Sequence, residues 1–102
     1  MSVKSIDIAT MQQWQESGEA LLVDVREPAE HAEAAIPGAV LLPMGQVNKA
    51  TLQALGGNKW ILHCRSGGRS TRVCADLLAQ DPTLDVYNLD GGIRAWLDLS
   101  NK

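Results

Sequence analysis

Three continuous apolar runs constrain this chain most: Ala20-Leu21-Leu22-Val23, Val40-Leu41-Leu42 and Trp60-Ile61-Leu62, the last continuing through His63 as a buried strand. A strand with one face in water alternates apolar and polar residues. Runs without alternation need cover on both faces, the situation of parallel strands sandwiched between helices. The stretches between them are helical in pattern. A helix is expected from Asp7 or Thr10 to Gly18, with Met11 and Trp14 facing the core. A short helix over Ala29–Ala34 is opened by Pro28, a longer one spans Gln46–Leu55 with Val47, Thr51 and Leu55 on one side, and a strong one runs from Arg69 or Ser70 to Gln80. Ile6 marks a short first strand, Leu84–Leu89 a last one, and a final helix after Gly91-Gly92 carries Ile93, Trp96 and Leu97. Strands alternating with helices predict an α/β fold: a central, mostly parallel sheet of about five strands with helices on both faces.

At 102 residues the chain supplies one core, so residues 1–102 are expected to form one domain. Hydrophobic residues make up 45% and charged residues 21%, which excludes a disordered tail or a low-complexity linker. No apolar run approaches the roughly 20 residues of a membrane span, and MSVKSIDIAT lacks the apolar core of a signal peptide. Two cysteines make no disulfide framework, so a cytoplasmic location is expected. The net charge of −3 argues against nucleic acid as a partner. Its distribution says more. Residues 34–75 hold five bases and no acid, +5, whereas the remainder is −8. Arg65, Arg69 and Arg72 cluster near Cys64, the pattern of a local anion site on an acidic protein.

Cys64-Arg65-Ser66-Gly67-Gly68-Arg69-Ser70 joins a buried strand to a helix N-terminus. Gly67 and Gly68 admit positive φ, which lets successive N–H groups turn toward one point. The helix adds free N–H groups and the positive end of its dipole. A cysteine held there has a lowered pKa and acts as a thiolate. The spacing from Cys64 to Arg69 is C-x4-R, one residue shorter than the C-x5-R loop that wraps a phosphoryl group. The shorter cradle suits a single extra sulfur atom on the cysteine. No carboxylate lies in the surrounding sequence to serve as a general acid, and attack on sulfane sulfur needs none when sulfite leaves.

These residues resemble the single-domain rhodaneses, thiosulfate sulfurtransferase-like proteins, over essentially the whole chain. Cys64 to Ser70 matches the family's active loop. Asp24-Val25-Arg26 with Glu30, then Ile36-Pro37-Gly38-Ala39, match two N-terminal motifs, and Asp90-Gly91-Gly92 with Trp96 matches a C-terminal one. Two positions depart: Ala34-Ala35 stands where the family usually has Gly-His, and His31 where it has an aromatic residue. The resemblance implies a rhodanese-like fold and a double displacement. Cys64 takes sulfur from thiosulfate or another sulfane-sulfur donor as a persulfide, then passes it to cyanide or to a small or protein thiol. It implies no cofactor, and a monomer or weak homodimer. Arg65 and Arg69 are expected to bind the dianionic donor; Ser66, Gly67, Gly68 and Ser70 shape the loop.

The remaining polar residues have plainer readings. His63 precedes Cys64 on a strand and points to the opposite face. Cys74 lies on a helical apolar stripe and packs as a small hydrophobe. Asp24 and Arg26 read as a structural ion pair, and Gly91-Gly92 as close packing beneath the loop. His31, His63, Cys64 and Cys74 lack metal-ligand spacing, so no metal is expected. Besides a sulfurtransferase, two classes stay open: an inactive or regulatory rhodanese-like interaction module, and a phosphatase or arsenate reductase.

Overall fold

In the computed structural model, which describes residues 3–100, the elements alternate as the apolar runs predict. They are β1 (Ser5–Ile6), α1 (Ile8–Glu16), β2 (Leu21–Asp24), α2 (Pro28–Glu33) and β3 (Val40–Leu41). A 3-10 turn (Met44–Gln46) leads to α3 (Lys49–Ala54), β4 (Trp60–His63), α4 (Gly68–Gln80), β5 (Val86–Leu89) and α5 (Gly92–Ser100). The five strands form one sheet in the order β1-β5-β4-β2-β3, with β4 at its centre. All four pairings are parallel, which sharpens the expectation of a mostly parallel sheet.

Side-chain alternation along the central strands sorts the core into two layers. Trp60 and Leu62 of β4 pack with Val23, Val25 and Val86 against Leu52 of α3 and Val73, Cys74, Leu77 and Leu78 of α4. Ile61 joins Leu22 and Leu89 on the other face, against Met11 of α1 and Ile93 of α5, with Trp14 and Trp96 packed beside them. Each central strand is thus covered twice, as its unbroken apolar run requires. Among the described residues no helix is long and apolar enough to cross a membrane.

Local chemistry moves three boundaries. Asp7 caps α1 through the Thr10 N–H at 2.8 Å, so of the two candidate starts the aspartate is used. The helix expected over Gln46–Leu55 is broken at Asn48. The Asn48 side chain accepts the Thr51 N–H, and the Thr51 hydroxyl accepts the Asn48 N–H, each at 2.9 Å. That reciprocal cap restarts the chain as α3 after the 3-10 turn. Leu52 becomes its fully buried residue, with Val47 and Leu55 alongside, while Thr51 is used in the cap. The last strand starts at Val86 and not Leu84, because the Asp81 carboxylate accepts the Thr83 N–H at 2.9 Å and its hydroxyl at 2.6 Å, holding a turn.

Candidate active site

In parallel sheets ligands meet the carboxyl ends of the strands. Cys64 immediately follows β4 at that end, in the middle of the sheet. The chain turns beneath it through Gly67, whose φ of +119° is open to glycine and strained for other residues. Gly68 has no positive φ; it is the first residue of α4, which begins one residue before Arg69, the earlier of the two expected starts.

Cys64 is 1% exposed, at the floor of its loop. Its Sγ receives the Gly67 N–H at 3.1 Å and lies 3.4 Å from the Ser70 hydroxyl. Burial pushes the thiol up, but the Ser70 hydroxyl and the N–H groups of Ser70, Gly67 and Ser66 outweigh it, and the net direction is downward. Backbone N–H groups, as expected from the glycines and the helix start, carry this lowering together with the Ser70 hydroxyl. Cys74 has no such donors. It is fully buried in the apolar layer, and burial alone pushes its thiol up to about 12.

The two loop arginines separate. Arg65 is exposed and makes no ion pair among the described residues. Arg69 is engaged by Glu30 of α2 through a two-pronged contact, Nη1 to Oε1 at 2.7 Å and Nη2 to Oε2 at 2.9 Å. That contact shares Arg69 with α2 and leaves Arg65 as the loop arginine without an ion pair among the described residues. It also brings a carboxylate to a loop that has none nearby in sequence. Arg69 holds the Glu30 carboxyl down at about 2, so it stays ionised and offers no proton. A cleft of about 460 Å³ beside the loop is lined by Arg26, Glu30, Arg65, Ile93, Arg94 and Leu97, among others.

Behind the loop lies a buried polar cluster. Arg26 grips Asp24 through Nε to Oδ1 at 2.9 Å and Nη2 to Oδ2 at 2.7 Å. It also donates to the Ala34 carbonyl at 2.6 Å, tying down the end of α2. His31 Nδ1 sits 2.8 Å from Asp24 Oδ2, so the unusual histidine adds a polar contact where an aromatic ring would pack. Burial pushes Asp24 up, but Arg26 and then His31 prevail, and its carboxyl stays below the usual range. His63 stands beside Asp24 in register, on the face opposite Cys64. Burial pushes its ring down to the neutral form, and Nδ1–H donates to the Cys64 carbonyl at 3.1 Å. Among the described residues no group of three or more histidines, cysteines or carboxylates is placed to hold a metal ion.

Gly92 closes the loop from below. A Cβ there would stand 2.5 Å from the Cys64 carbonyl oxygen and 2.6 Å from that of Arg65. Those carbonyls accept the Ile93 and Arg94 N–H groups, each at 3.0 Å. Gly92→Ala is expected to push the loop off the start of α5 and to cost about 1–3 kcal/mol, read from the denaturant midpoint. An unchanged midpoint would show that the loop gives way freely.

Residues 7–99 match the Rhodanese-like domain family. The chain belongs to the rhodanese-like family. Among rhodanese-like relatives, a sulfurtransferase of Allochromatium vinosum is 39% identical over 95 residues, covering 92% of this chain and 88% of that protein. The human single domain sulfurtransferase TSTD1 superposes with a TM-score of 0.77 at 25% identity, over 95% of this chain and 97% of the other. A thiosulfate sulfurtransferase from Pseudomonas aeruginosa gives 0.83 at 28% identity, over 96% of this chain but 18% of that longer one. The rhodanese-like fold expected from the motifs is therefore present, and the chain is homologous to sulfurtransferases.

Three residues at this rhodanese-like site escaped the sequence reading. Glu30 was visible as a motif member but not as the partner of Arg69, 39 residues away. Arg94 carried no local signal. Asn88 carried one: an amide between Tyr87 and Leu89 on a buried strand needs a buried partner, and finds it in Ser70.

Proposed function

We propose that the protein is a thiosulfate sulfurtransferase in which residues 1–102 act as one domain and Cys64 carries the sulfur. The observation that bears this reading is the set of polar groups converging on Cys64 Sγ, the Gly67 N–H at 3.1 Å and the Ser70 hydroxyl 3.4 Å away, at the floor of the turn between β4 and α4. The thiolate attacks the outer sulfur of thiosulfate. A new S–S bond forms, the bond to the sulfonate sulfur breaks with its electron pair, and sulfite leaves. Cyanide or a thiolate then attacks the outer sulfur of the Cys64 persulfide, forms thiocyanate or a new persulfide, and returns the Cys64 thiolate. The N–H groups that hold the thiolate also suit the persulfide anion, as an oxyanion hole suits developing charge.

A floor position with 1% exposure favours a slender attacking partner, and the terminal sulfur of thiosulfate is one. A phosphoryl group must be wrapped on three oxygens, for which C-x4-R is a short loop, and Glu30 is held ionised by Arg69 rather than poised to protonate a leaving group. The direct test is turnover of thiosulfate with cyanide against hydrolysis of an aryl phosphate by the same preparation. Thiocyanate without phosphate release supports the reading; the reverse overturns it.

The arginines are expected to divide their effects. Arg65→Ala removes the loop's unpaired cation and raises the thiosulfate KM about tenfold, with kcat little changed, as loss of a charge-assisted contact worth about 1.5–3 kcal/mol allows. Arg69→Ala leaves Glu30 without its partner at the edge of the loop and lowers stability and kcat together. Steady-state kinetics with thermal melts separates the two patterns. Unchanged thiosulfate kinetics in Arg65→Ala would remove that residue from donor binding.

A further inference from the structure

The hydroxyl of Ser70 has one proton and three acceptors within reach. Asn88 Oδ1 is at 2.5 Å, the Gly67 carbonyl at 3.3 Å and Cys64 Sγ at 3.4 Å. With the amide oxygen of Asn88 facing Ser70, the short contact claims that proton, and the Asn88 amide group donates on to Ser5 Oγ at 3.2 Å. The sulfur is then left to the backbone N–H groups. Ser70 is fully buried and Asn88 is 4% exposed, so bulk water does not supply a substitute donor freely.

The same four groups satisfy one another in a second arrangement. If the Asn88 amide is turned end over end, its NH₂ donates to Ser70 Oγ, the Ser70 proton is released toward Cys64 Sγ, and the exposed Ser5 hydroxyl donates to the amide oxygen. Each of these contacts pairs one donor with one acceptor in both arrangements, because hydroxyls both give and take while the amide has one end of each kind. The two differ in one respect that matters here: only the second gives an anionic sulfur a hydroxyl donor.

We propose that Asn88 is a positioning residue, whose amide orientation decides whether the Ser70 proton points at Asn88 or at the sulfur of Cys64. With a neutral thiol the amide oxygen takes the proton. With the thiolate, or the persulfide that the proposed sulfurtransferase cycle forms, the amide turns and Ser70 donates to sulfur. The inference rests on that cycle only for the persulfide; the thiol–thiolate change drives it equally. The charged and titratable groups around the thiol are Arg65 and Arg69 of its loop and helix, Glu30 of α2 on Arg69, His63 and Asp24 of the sheet, and Arg94 of α5. Substituting Asn88 alters none of them.

Asn88→Asp supplies only acceptors, and so fixes the Ser70 proton away from sulfur. The pH profile of Cys64 alkylation is expected to move up by about one pH unit, making alkylation near neutral pH about tenfold slower. Ser70→Ala moves it similarly, and in the double variant the aspartate adds little. If the Asn88→Asp displacement persists in full on the Ser70→Ala background, the effect is charge repulsion and the relay is wrong. An unmoved profile in Asn88→Asp overturns it as well.

Should a buried aspartate prevent folding, the wild-type protein gives the answer through its ¹⁵N-labelled asparagine side chains. The Asn88 amide resonances are expected to shift with the midpoint of Cys64 alkylation and to stay fixed in Cys64→Ser. A silent Asn88 amide overturns the proposal. None of these readouts needs turnover. A responsive Asn88 in a protein that moves no sulfur would fault the functional reading and leave the relay standing.

Discussion

Cys64→Ser is expected to abolish thiocyanate formation while the protein keeps its fold and its melting temperature to within a few degrees. Oxygen and sulfur occupy similar space at the end of β4, and the N–H donors of Gly67, Ser66 and Ser70 serve either atom. A serine hydroxyl stays protonated near neutral pH and forms no persulfide, so the double displacement has no carrier. Cys74→Ser, by contrast, should retain most activity, because that thiol is held protonated in an apolar layer. Enzymatic assay beside circular dichroism checks both. Activity in a folded Cys64→Ser protein would contradict the proposed chemistry.

The largest effect on stability is expected at Asp24, not in the apolar layers. Asp24→Ala leaves Arg26, itself 4% exposed, buried without its carboxylate, and removes the partner of His31. Breaking a buried pair from one side costs about 3–5 kcal/mol, against about 5–15 kcal/mol for a whole domain. The loss reaches the loop as well. Arg26 holds the end of α2 through Ala34, α2 presents Glu30, and Glu30 holds Arg69. Asp24→Ala should therefore lower both the denaturant midpoint and the rate. Its pH dependence has a definite sign. Because the folded carboxyl is held below its unfolded value, its stabilisation is present above about pH 4 and is lost as pH falls through the lowered value. The difference between wild type and Asp24→Asn should shrink over that acid range. A loss below about 1 kcal/mol in Asp24→Ala would show that water reaches Arg26.

What the sequence made legible is what neighbouring residues decide together. Trp60-Ile61-Leu62 required cover on both faces, and Ile61 and Leu62 do enter opposite layers. The same alternation placed His63 and Cys64 back to back. The loop was readable because its glycines, arginines and cysteine are contiguous, and the Asp24–Arg26 pair because two residues at a strand end meet directly. Illegible features depend on partners distant in sequence or on competing local bonds. The partner of Arg69 was hidden because Glu30 arrives only when α2 packs beside the loop. The N–H groups around the thiol were legible in Gly67, Gly68 and the helix start, but the share of the Ser70 hydroxyl was not, because its reach to the sulfur is set only when α4 forms. Gln46–Leu55 looked like one helix because the apolar spacing of Val47 and Leu55 concealed the cap that Asn48 and Thr51 form. Asn88 was taken as one more residue of a strand, although its amide had no apolar reason to be there.

The measurement closest to the central claim is the intact mass of the protein after thiosulfate alone, followed by peptide mapping. One population heavier by a single sulfur atom is expected, with the added atom on the peptide that contains Cys64. Cyanide or a small thiol should restore the starting mass, and an aryl phosphate under matched conditions should leave no adduct. No sulfur adduct at any thiosulfate concentration, or a phosphorylated Cys64, would contradict the account.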